Sequence, residues 1–265
     1  MGKIFKIQGL PVAIFKLVII YLLIQLTDIP MTIVEFSQNR SGDFGFQTGL
    51  FVAALIISLI TVSAAWYIYR GGRPIQRQQW SLKRHWLAIL VGLLVFLIVN
   101  VGIGLLIPIT ENQAAIEDLL KRAPLPLWLL TMGIVGPIME ELTFRGVLMD
   151  YFFQPRAGWL AILVSGALFG LIHQTKTVYE WLVYAGMGWV LATAYWLTKS
   201  ILVPIMIHML NNCWSIVQIM TPLRIVTNVQ VFWAAVIGLV IVVAIWGLWR
   251  WQSSQRAHTT GDSIR

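Results

Sequence analysis

The sequence contains very little charge for its length. Only 11% of its 265 residues are charged, and 58% are hydrophobic. Soluble domains carry about 25% charged residues, so this composition excludes a water-soluble globular domain. Apolar runs of about 20 residues recur along the chain, and that length crosses a bilayer as a helix. The sequence therefore predicts an all-α, polytopic membrane protein.

Other features are also scarce or missing. A single cysteine, Cys213, excludes an intramolecular disulfide. There are no repeats, and no polar stretch between the apolar runs is long enough to form a soluble domain. We expect a single integral membrane domain over residues 1–251, with its motif-bearing core at about 126–220, and a disordered cytoplasmic tail at 252–265. The longest soluble segments are expected at about 28–47, 70–85 and 110–125, with a short interfacial helix at 112–122 in the last of these.

The apolar runs divide the chain into eight predicted membrane spans, the first of which is expected to be retained rather than cleaved as a signal peptide. Tryptophans lie near several of the predicted span ends, where amphipathic rings prefer the membrane interface. The spans are expected at about 10–27, 48–69, 86–109, 126–150, 158–173, 179–197, 201–220 and 230–249.

The basic residues predict the orientation of these spans. The chain carries a net charge of +8. In a soluble domain that charge would suggest nucleic acid as a partner, but cytoplasmic loops of membrane proteins are enriched in Lys and Arg. With eight spans, one side of the membrane holds Lys3, Lys6, Arg70, Arg73, Arg77, Lys83, Arg84, Arg156, Lys199, Arg250, Arg256 and Arg265. We therefore expect both termini in the cytoplasm, the bilayer as the surroundings, and no nucleic-acid partner.

Two adjacent glutamates, Glu140 and Glu141, lie inside the fourth predicted span. An ionised carboxylate near the bilayer centre costs at least about 2.5–3.5 kcal/mol, so such residues are functional candidates. Arg145 follows Glu141 by four residues, which places the two on one helix face as a pair. Glu140 points about 100° away from that face. It is left without a local cation and is suited to act as a general base.

Two later spans carry one histidine each. His173 ends a run in which Gly166 and Gly170 have the small-xxx-small spacing that allows close helix packing. His208 and Asn212 are four residues apart and share a helix face. Together they could present two hydrogen-bond donors to one point, as an oxyanion hole requires.

The same residues allow other interpretations. The glutamates could serve helix packing, and each histidine could bridge helices or lie at the interface. Buried carboxylates and histidines also mark proton-coupled transporters, although no inverted repeat is visible in this sequence. A non-catalytic membrane scaffold or immunity protein would need none of these groups. Replacement of Glu140 separates the three functions.

The three polar segments together resemble the CPBP family of intramembrane proteases, also called the CAAX-protease or Abi family. The family pattern is EExxxR, then FxxxH, then HxxxN. In this chain the three motifs are Glu140-Glu141-Leu142-Thr143-Phe144-Arg145, Phe169-Gly170-Leu171-Ile172-His173 and His208-Met209-Leu210-Asn211-Asn212. The resemblance covers about residues 128–215.

The resemblance implies peptide hydrolysis by activated water in an eight-helix protein. Glu140 would be the general base, His173 would help hold the water, and His208 with Asn212 would stabilise the oxyanion. Glu141 and Arg145 would form a supporting pair, and Phe169 would line the site. Glu140, His173 and His208 could also ligate zinc, although the sequence lacks an HExxH pair.

The resemblance also implies a class of substrate, namely membrane-associated peptides or proteins. The setting would be a bacterial cell membrane, and the role either CAAX-type processing or bacteriocin self-immunity.

Overall fold

The structure, a computed structural model, describes residues 10–37, 43–71, 82–106, 117–173, 175–221 and 227–261. This part of the chain is helical and contains no β-strand. In chain order its helices are α1 (Leu10–Thr27), α2 (Ile29–Phe36), α3 (Phe44–Arg70), α4 (Leu82–Leu106), α5 (Leu125–Phe152), α6 (Gly158–Ile172), α7 (Val178–Thr198), α8 (Leu202–Met220) and α9 (Asn228–Gly261).

All eight predicted spans coincide with helices, and the fold class is confirmed as a polytopic, all-α membrane protein. Among the described residues, seven segments are long and apolar enough to cross a membrane. The predicted span that is absent from those seven is α7, which is less apolar and carries Glu180 in its first turn. The orientation of the termini stays a prediction.

The expectation of a loop over residues 28–47 is wrong for its first part. The chain turns at Asp28 and continues as α2, so that Leu10–Phe36 forms one apolar segment with a break inside it. Pro30 explains the break, because its ring nitrogen cannot donate a backbone hydrogen bond within a continuous helix but is tolerated in the first turn of a new one. Asp28 therefore lies within a segment that is long and apolar enough to cross a membrane, rather than in a loop.

Two further expectations concern polar segments. Residues 252–261 continue α9, and the disordered cytoplasmic tail over 252–265 stays a prediction. The sequence from Gln252 to Thr260 contains neither proline nor glycine, and nothing in it stops the helix before Gly261. Residues 262–265 lie outside the described part.

The interfacial helix expected at 112–122 is described only in part. Residues 112–116 lie outside the described part of the chain, and residues 117–120 form a helical turn.

Helix α5 lies at the centre of the bundle. Half of the residues in its most apolar window are buried, compared with 6% in that of α9. It contacts α1, α3, α6, α7 and α8. Two charged residues of α5, Glu141 and Arg145, are fully buried and so are surrounded by protein, which is where charged groups inside membranes are found.

The backbone of α5 is not a regular α-helix. Residues Leu129–Val135 and Leu142–Phe152 are π-helical, and the α-helical segment Gly136–Glu141 lies between them. Stretches of π-helix are rare and occur often at functional sites. Both glutamates therefore lie on a short α-helical segment with a π-helical stretch on each side.

Glycines bring α6 and α7 into close contact, as the small-xxx-small spacing predicts. A Cβ atom on Gly188 of α7 would lie 2.8 Å from the Cα atom of Gly166 on α6. A Cβ atom on Gly170 would lie 2.8 Å from the ring of Trp181 on α7. Only glycine fits at such an approach, and it leaves the Gly188 carbonyl open to a side chain from α5.

Candidate active site

The predicted pair between Glu141 and Arg145 is present and fully buried. The Arg145 Nη1 atom donates to Glu141 Oε1 at 3.0 Å, and neither side chain is exposed. Arg145 Nη2 also donates to the carbonyl of Gly188, at 2.7 Å. The pair thus neutralises one buried carboxylate and ties α5 to α7 at the point where α7 approaches α6 most closely.

His208 connects this pair to Glu140. Its Nδ1 atom lies 3.0 Å from Glu141 Oε1, so it donates to that carboxylate. The opposite ring nitrogen, Nε2, lies 3.9 Å from Glu140 Oε2. Glu141 therefore orients the imidazole, and the ring presents Nε2 toward Glu140.

His173 is oriented in a similar way by a backbone group. Its Nδ1 atom is 2.7 Å from the carbonyl oxygen of Phe169, to which it donates. In the neutral ring Nε2 is then a hydrogen-bond acceptor. His173 is also close enough to Glu140 and to His208 to interact electrostatically with both. The structure thus brings together the residues of all three motifs.

Phe169 packs against both histidines. Its ring centroid is 4.6 Å from that of His173 and 5.7 Å from that of His208, and the side chain is fully buried. Arg145 lies over the same ring, with Cζ at 5.0 Å from the centroid. Tyr184 of α7 also stacks on His173, with ring centroids 4.2 Å apart. Phe169 is therefore a packing centre that fixes the two imidazoles relative to each other.

The amide of Asn212 is held by a series of hydrogen bonds that begins on α4. Asn100 donates to Asn211 at 3.3 Å, Asn211 donates to Asn212 at 3.2 Å, and Asn212 donates to the carbonyl of Met132 at 3.2 Å. In a π-helix the carbonyl of residue i accepts from the N–H of residue i+5. The Met132 carbonyl would therefore accept from residue 137, but Pro137 has no N–H to donate. One N–H of the Asn212 amide is thereby used, and a second remains for another acceptor.

Sequence reasoning missed Asn100, Asn211, Gly188 and Tyr184 as neighbours of the site. Asn100 is a polar residue inside the third predicted span, which is a signal that could have identified it. Gly188 acts through its backbone carbonyl, and Tyr184 resembles any interfacial tyrosine in the sequence. Only the packing of α7 against α5 and α6 reveals these two.

Glu140 is the accessible acid of the pair. Its side chain is 24% exposed, whereas that of Glu141 is fully buried. Among the described residues, Glu140 Oε2 has no hydrogen-bond donor. Oε2 itself is buried, so the exposed part of the Glu140 side chain lies elsewhere, and this oxygen is an unused acceptor beside His208. Such a carboxylate can accept a proton from water in contact with it.

Glu140, His173 and His208 are the side chains that could ligate zinc. Both histidines use Nδ1 for a hydrogen bond and leave Nε2 available, as metal-binding histidines commonly do. In the part of the chain that the structure describes, however, no three His, Cys, Asp or Glu residues converge closely enough to hold a metal ion. The present arrangement of Glu140, His173 and His208 does not fit a zinc site.

Comparison with known proteins identifies a related family. Residues 122–214 match the sequence model described as "Type II CAAX prenyl endopeptidase Rce1-like". The chain is 33% identical over 115 residues to the "Putative membrane peptidase YdiL" of Bacillus subtilis (strain 168), covering 43% of this chain and 46% of that protein. It is 34% identical over 105 residues to the "Membrane-embedded CAAX protease MroQ" of Staphylococcus aureus (strain USA300), covering 37% and 42%.

The family match covers the segment that carries the three motifs. The matched segments span less than half the length of either relative. No solved structure gives a significant match. The three motifs all lie within the segment that matches the family. The resemblance that they predict is confirmed: over residues 122–214 this chain is similar to the Rce1-like CAAX prenyl endopeptidases.

Proposed function

We propose that this protein is an intramembrane endopeptidase that hydrolyses peptide bonds of membrane-associated peptides or proteins in a bacterial membrane. The observation that carries the proposal is the convergence of Glu140, His173 and His208 from three helices around an unpaired carboxylate oxygen. The similarity to membrane peptidases supports the reaction class. A scaffold needs no such convergence.

Water activation is the first step of the proposed mechanism. A water molecule donates one hydrogen bond to the Glu140 carboxylate and one to His173 Nε2, which accepts because Nδ1 is the donor to Phe169. Glu140 removes a proton as the water oxygen attacks the scissile carbonyl carbon. The substrate carbonyl oxygen becomes an oxyanion.

The oxyanion is stabilised by groups on α8. The second N–H of the Asn212 amide is one donor that this helix offers. His208 Nε2 is a second donor when the imidazole is protonated on both nitrogens, because Nδ1–H already donates to Glu141. The tetrahedral intermediate then collapses, the C–N bond breaks, and Glu140 returns its proton to the leaving amine. Atoms and charge balance with one water consumed and no covalent enzyme intermediate, so neither a serine nor Cys213 acts as a nucleophile.

Glu141 and Arg145 do not touch the substrate in this mechanism. Their role is to hold His208 in the orientation that presents Nε2 to the reaction. CAAX-type processing and bacteriocin self-immunity are the biological roles that we propose for such an activity. The first is supported by the "CAAX protease" in the printed name of the staphylococcal relative.

The test is a search for hydrolysis products by mass spectrometry. Purified protein in lipid vesicles is incubated with membrane-anchored peptides, with and without a chelator, beside Glu140→Gln and the control Glu35→Gln. We expect cleavage by wild type and Glu35→Gln, none by Glu140→Gln, and no effect of the chelator. Equal cleavage by Glu140→Gln would contradict the proposal, and chelator sensitivity would replace the metal-free mechanism with a metal-dependent one.

A further inference from the structure

A cavity of about 630 Å³ lies between the start of α3 and the segment that leads into α5. One wall is a single face of α3, since its lining residues follow each other at helical spacing. These residues are Phe44, Gln47, Thr48 and Phe51. The opposite wall is formed by residues 121–124 and Pro126. Sites for small ligands commonly enclose about 300–1,000 Å³, so this cavity is large enough for one.

The cavity lies far from the candidate active site. Pro126 precedes Glu140 by fourteen residues in α5, which corresponds to about 20 Å along a helix. Both α3 and α5 begin beside the cavity, and both are long and apolar enough to cross a membrane. The ends of such helices lie at the membrane surface, where lipid headgroups meet the protein. The cavity is therefore at the level of the headgroups.

The wall that leads into α5 is held in place by a buried tryptophan. The indole nitrogen of Trp128 donates to the carbonyl oxygens of Leu120 and Ala123, at 3.0 and 3.1 Å. The Trp128 side chain is fully buried, so these bonds are protected from water. The turn that carries Lys121 and Arg122 is therefore fixed on the start of α5. A site that is already formed loses less entropy when a ligand binds.

Two cations lie on this wall, and their acidic neighbours are already engaged. Asp118 pairs with Arg122. The Asp43 carboxylate caps α3 by accepting from the N–H of Phe46. Among the described residues, no acidic side chain forms an ion pair with Lys121. The ammonium group of Lys121 is therefore the positive charge that a bound anion can neutralise.

The rest of the cavity is mainly apolar and aromatic. Phe44 is 85% exposed, and Phe51 lies about two turns further along the same face of α3. Pro124 and Pro126 line the opposite wall, and neither has an N–H group to offer to a polar ligand. An apolar surface beside a cation matches a molecule with an apolar body and one anionic group. In a bilayer, that description fits an anionic phospholipid.

We propose that this cavity binds one anionic phospholipid of the surrounding bilayer. Its phosphate would contact Lys121, with Arg122 as a second donor, and an acyl chain would lie along Phe44 and Phe51. The site is separate from the catalytic residues, and the inference does not depend on the peptidase function. A peptide bond held at Glu140 is about 20 Å away, so the cavity is not part of the site that holds the scissile bond.

The test compares two phospholipids with the same acyl chains and different headgroups. Dioleoylphosphatidylglycerol carries a net negative charge, and dioleoylphosphatidylcholine carries none. Each is titrated onto the purified protein in detergent, after removal of bound lipid, and native mass spectrometry counts the lipids that remain attached. A basic residue near a lipid surface raises the affinity for anionic lipid about fivefold. We expect wild type to bind its first phosphatidylglycerol tighter than its first phosphatidylcholine by about that factor.

Two pairs of variants locate the site. Lys121→Gln removes the ammonium group and should lower the affinity for phosphatidylglycerol about fivefold, to that for phosphatidylcholine. Its control is Lys176→Gln, which removes an exposed lysine between α6 and α7 and should bind like wild type. Thr48→Trp places a large ring in the cavity and should abolish the preference for phosphatidylglycerol. Its control is Gly49→Trp, since no heavy atom lies within 4 Å of a Cβ atom at that position.

Circular dichroism of each variant checks that the helices are intact. Equal affinity of wild type for the two lipids would overturn the proposal. An unchanged affinity in Lys121→Gln would also overturn it, as would an equal loss in Lys176→Gln, because overall charge would then be responsible. If Thr48→Trp binds phosphatidylglycerol as Gly49→Trp does, the cavity is not the place of binding. If Thr48→Trp does not fold, the comparison of the two lysine variants decides alone.

Discussion

The buried pair of Glu141 and Arg145 makes a quantitative prediction for stability. Both side chains are fully buried, and Arg145 uses two nitrogens for bonds at 3.0 and 2.7 Å to Glu141 and the Gly188 carbonyl. Arg145→Met fills much of the space but leaves the buried Glu141 carboxylate without its arginine, so that His208 Nδ1 is the donor that remains to it. Removing one partner of a buried pair typically costs about 3–5 kcal/mol of unfolding free energy. We expect a loss of that size.

The double variant Glu141→Gln with Arg145→Met tests the reason for the loss. It removes both charges, and replacing both partners of a buried pair is often nearly neutral. The amide oxygen of glutamine can still accept from His208. The double variant should therefore recover most of the stability lost in Arg145→Met, although the Gly188 carbonyl remains without its donor.

The assay is reversible unfolding of the purified protein in detergent, followed by helical circular dichroism. A matched control is Arg122→Met, since Arg122 pairs with Asp118 with the same spacing but with side chains 37% and 59% exposed. An exposed pair contributes little, so this control should unfold like wild type. Arg145→Met as stable as the control, or a double variant no more stable than Arg145→Met, would refute the reasoning.

Three further predictions concern the neighbours of the site. Gly188→Ala should lower the free energy of unfolding by about 1–3 kcal/mol, because the added methyl group meets Gly166 and Phe169. Thermal unfolding measures this loss. The control is Gly104→Ala, where the added methyl group has no heavy atom within 4 Å. Asn100→Leu should lower kcat for peptide cleavage about tenfold with little change in KM, because it removes the hydrogen bond to Asn211, which in turn orients Asn212. An unchanged kcat would exclude that role. Tyr184→Leu should lower kcat because it removes the ring stacked on His173, whereas Tyr184→Phe keeps that ring and should keep kcat. An equal loss of kcat in both variants would assign the effect to the hydroxyl.

Much of the fold could be predicted because a membrane helix needs only a run of about 20 apolar residues, which the sequence shows directly. Eight apolar runs became helices at the predicted places, and the i, i+4 spacing of Glu141 and Arg145 predicted their pairing. The position of Asp28 could not be predicted in this way, because the apolar run continues on both sides of it and only the structure shows a broken helix in place of a loop.

The details of the site depend on features that hydropathy does not encode. The π-helical stretches of α5 change the direction of the side chains on both sides of Glu140, and they follow from packing as well as from Pro137. The carbonyl of Met132 is available to Asn212 for the same reason. Gly188 contributes a backbone oxygen, which a pattern of side chains does not reveal. The motifs therefore identify the candidate residues, and the backbone determines how their side chains are oriented.

The most direct test of the account is the single-turnover rate of peptide cleavage by Glu140→Gln. Glutamine keeps the size of the side chain and removes the base, and general-base catalysis is worth about 10²–10⁴ in rate. The account predicts a loss in that range with a circular-dichroism spectrum and an unfolding midpoint like those of wild type. A folded Glu140→Gln that cleaves within about threefold of the wild-type rate would contradict the central claim that Glu140 activates the water.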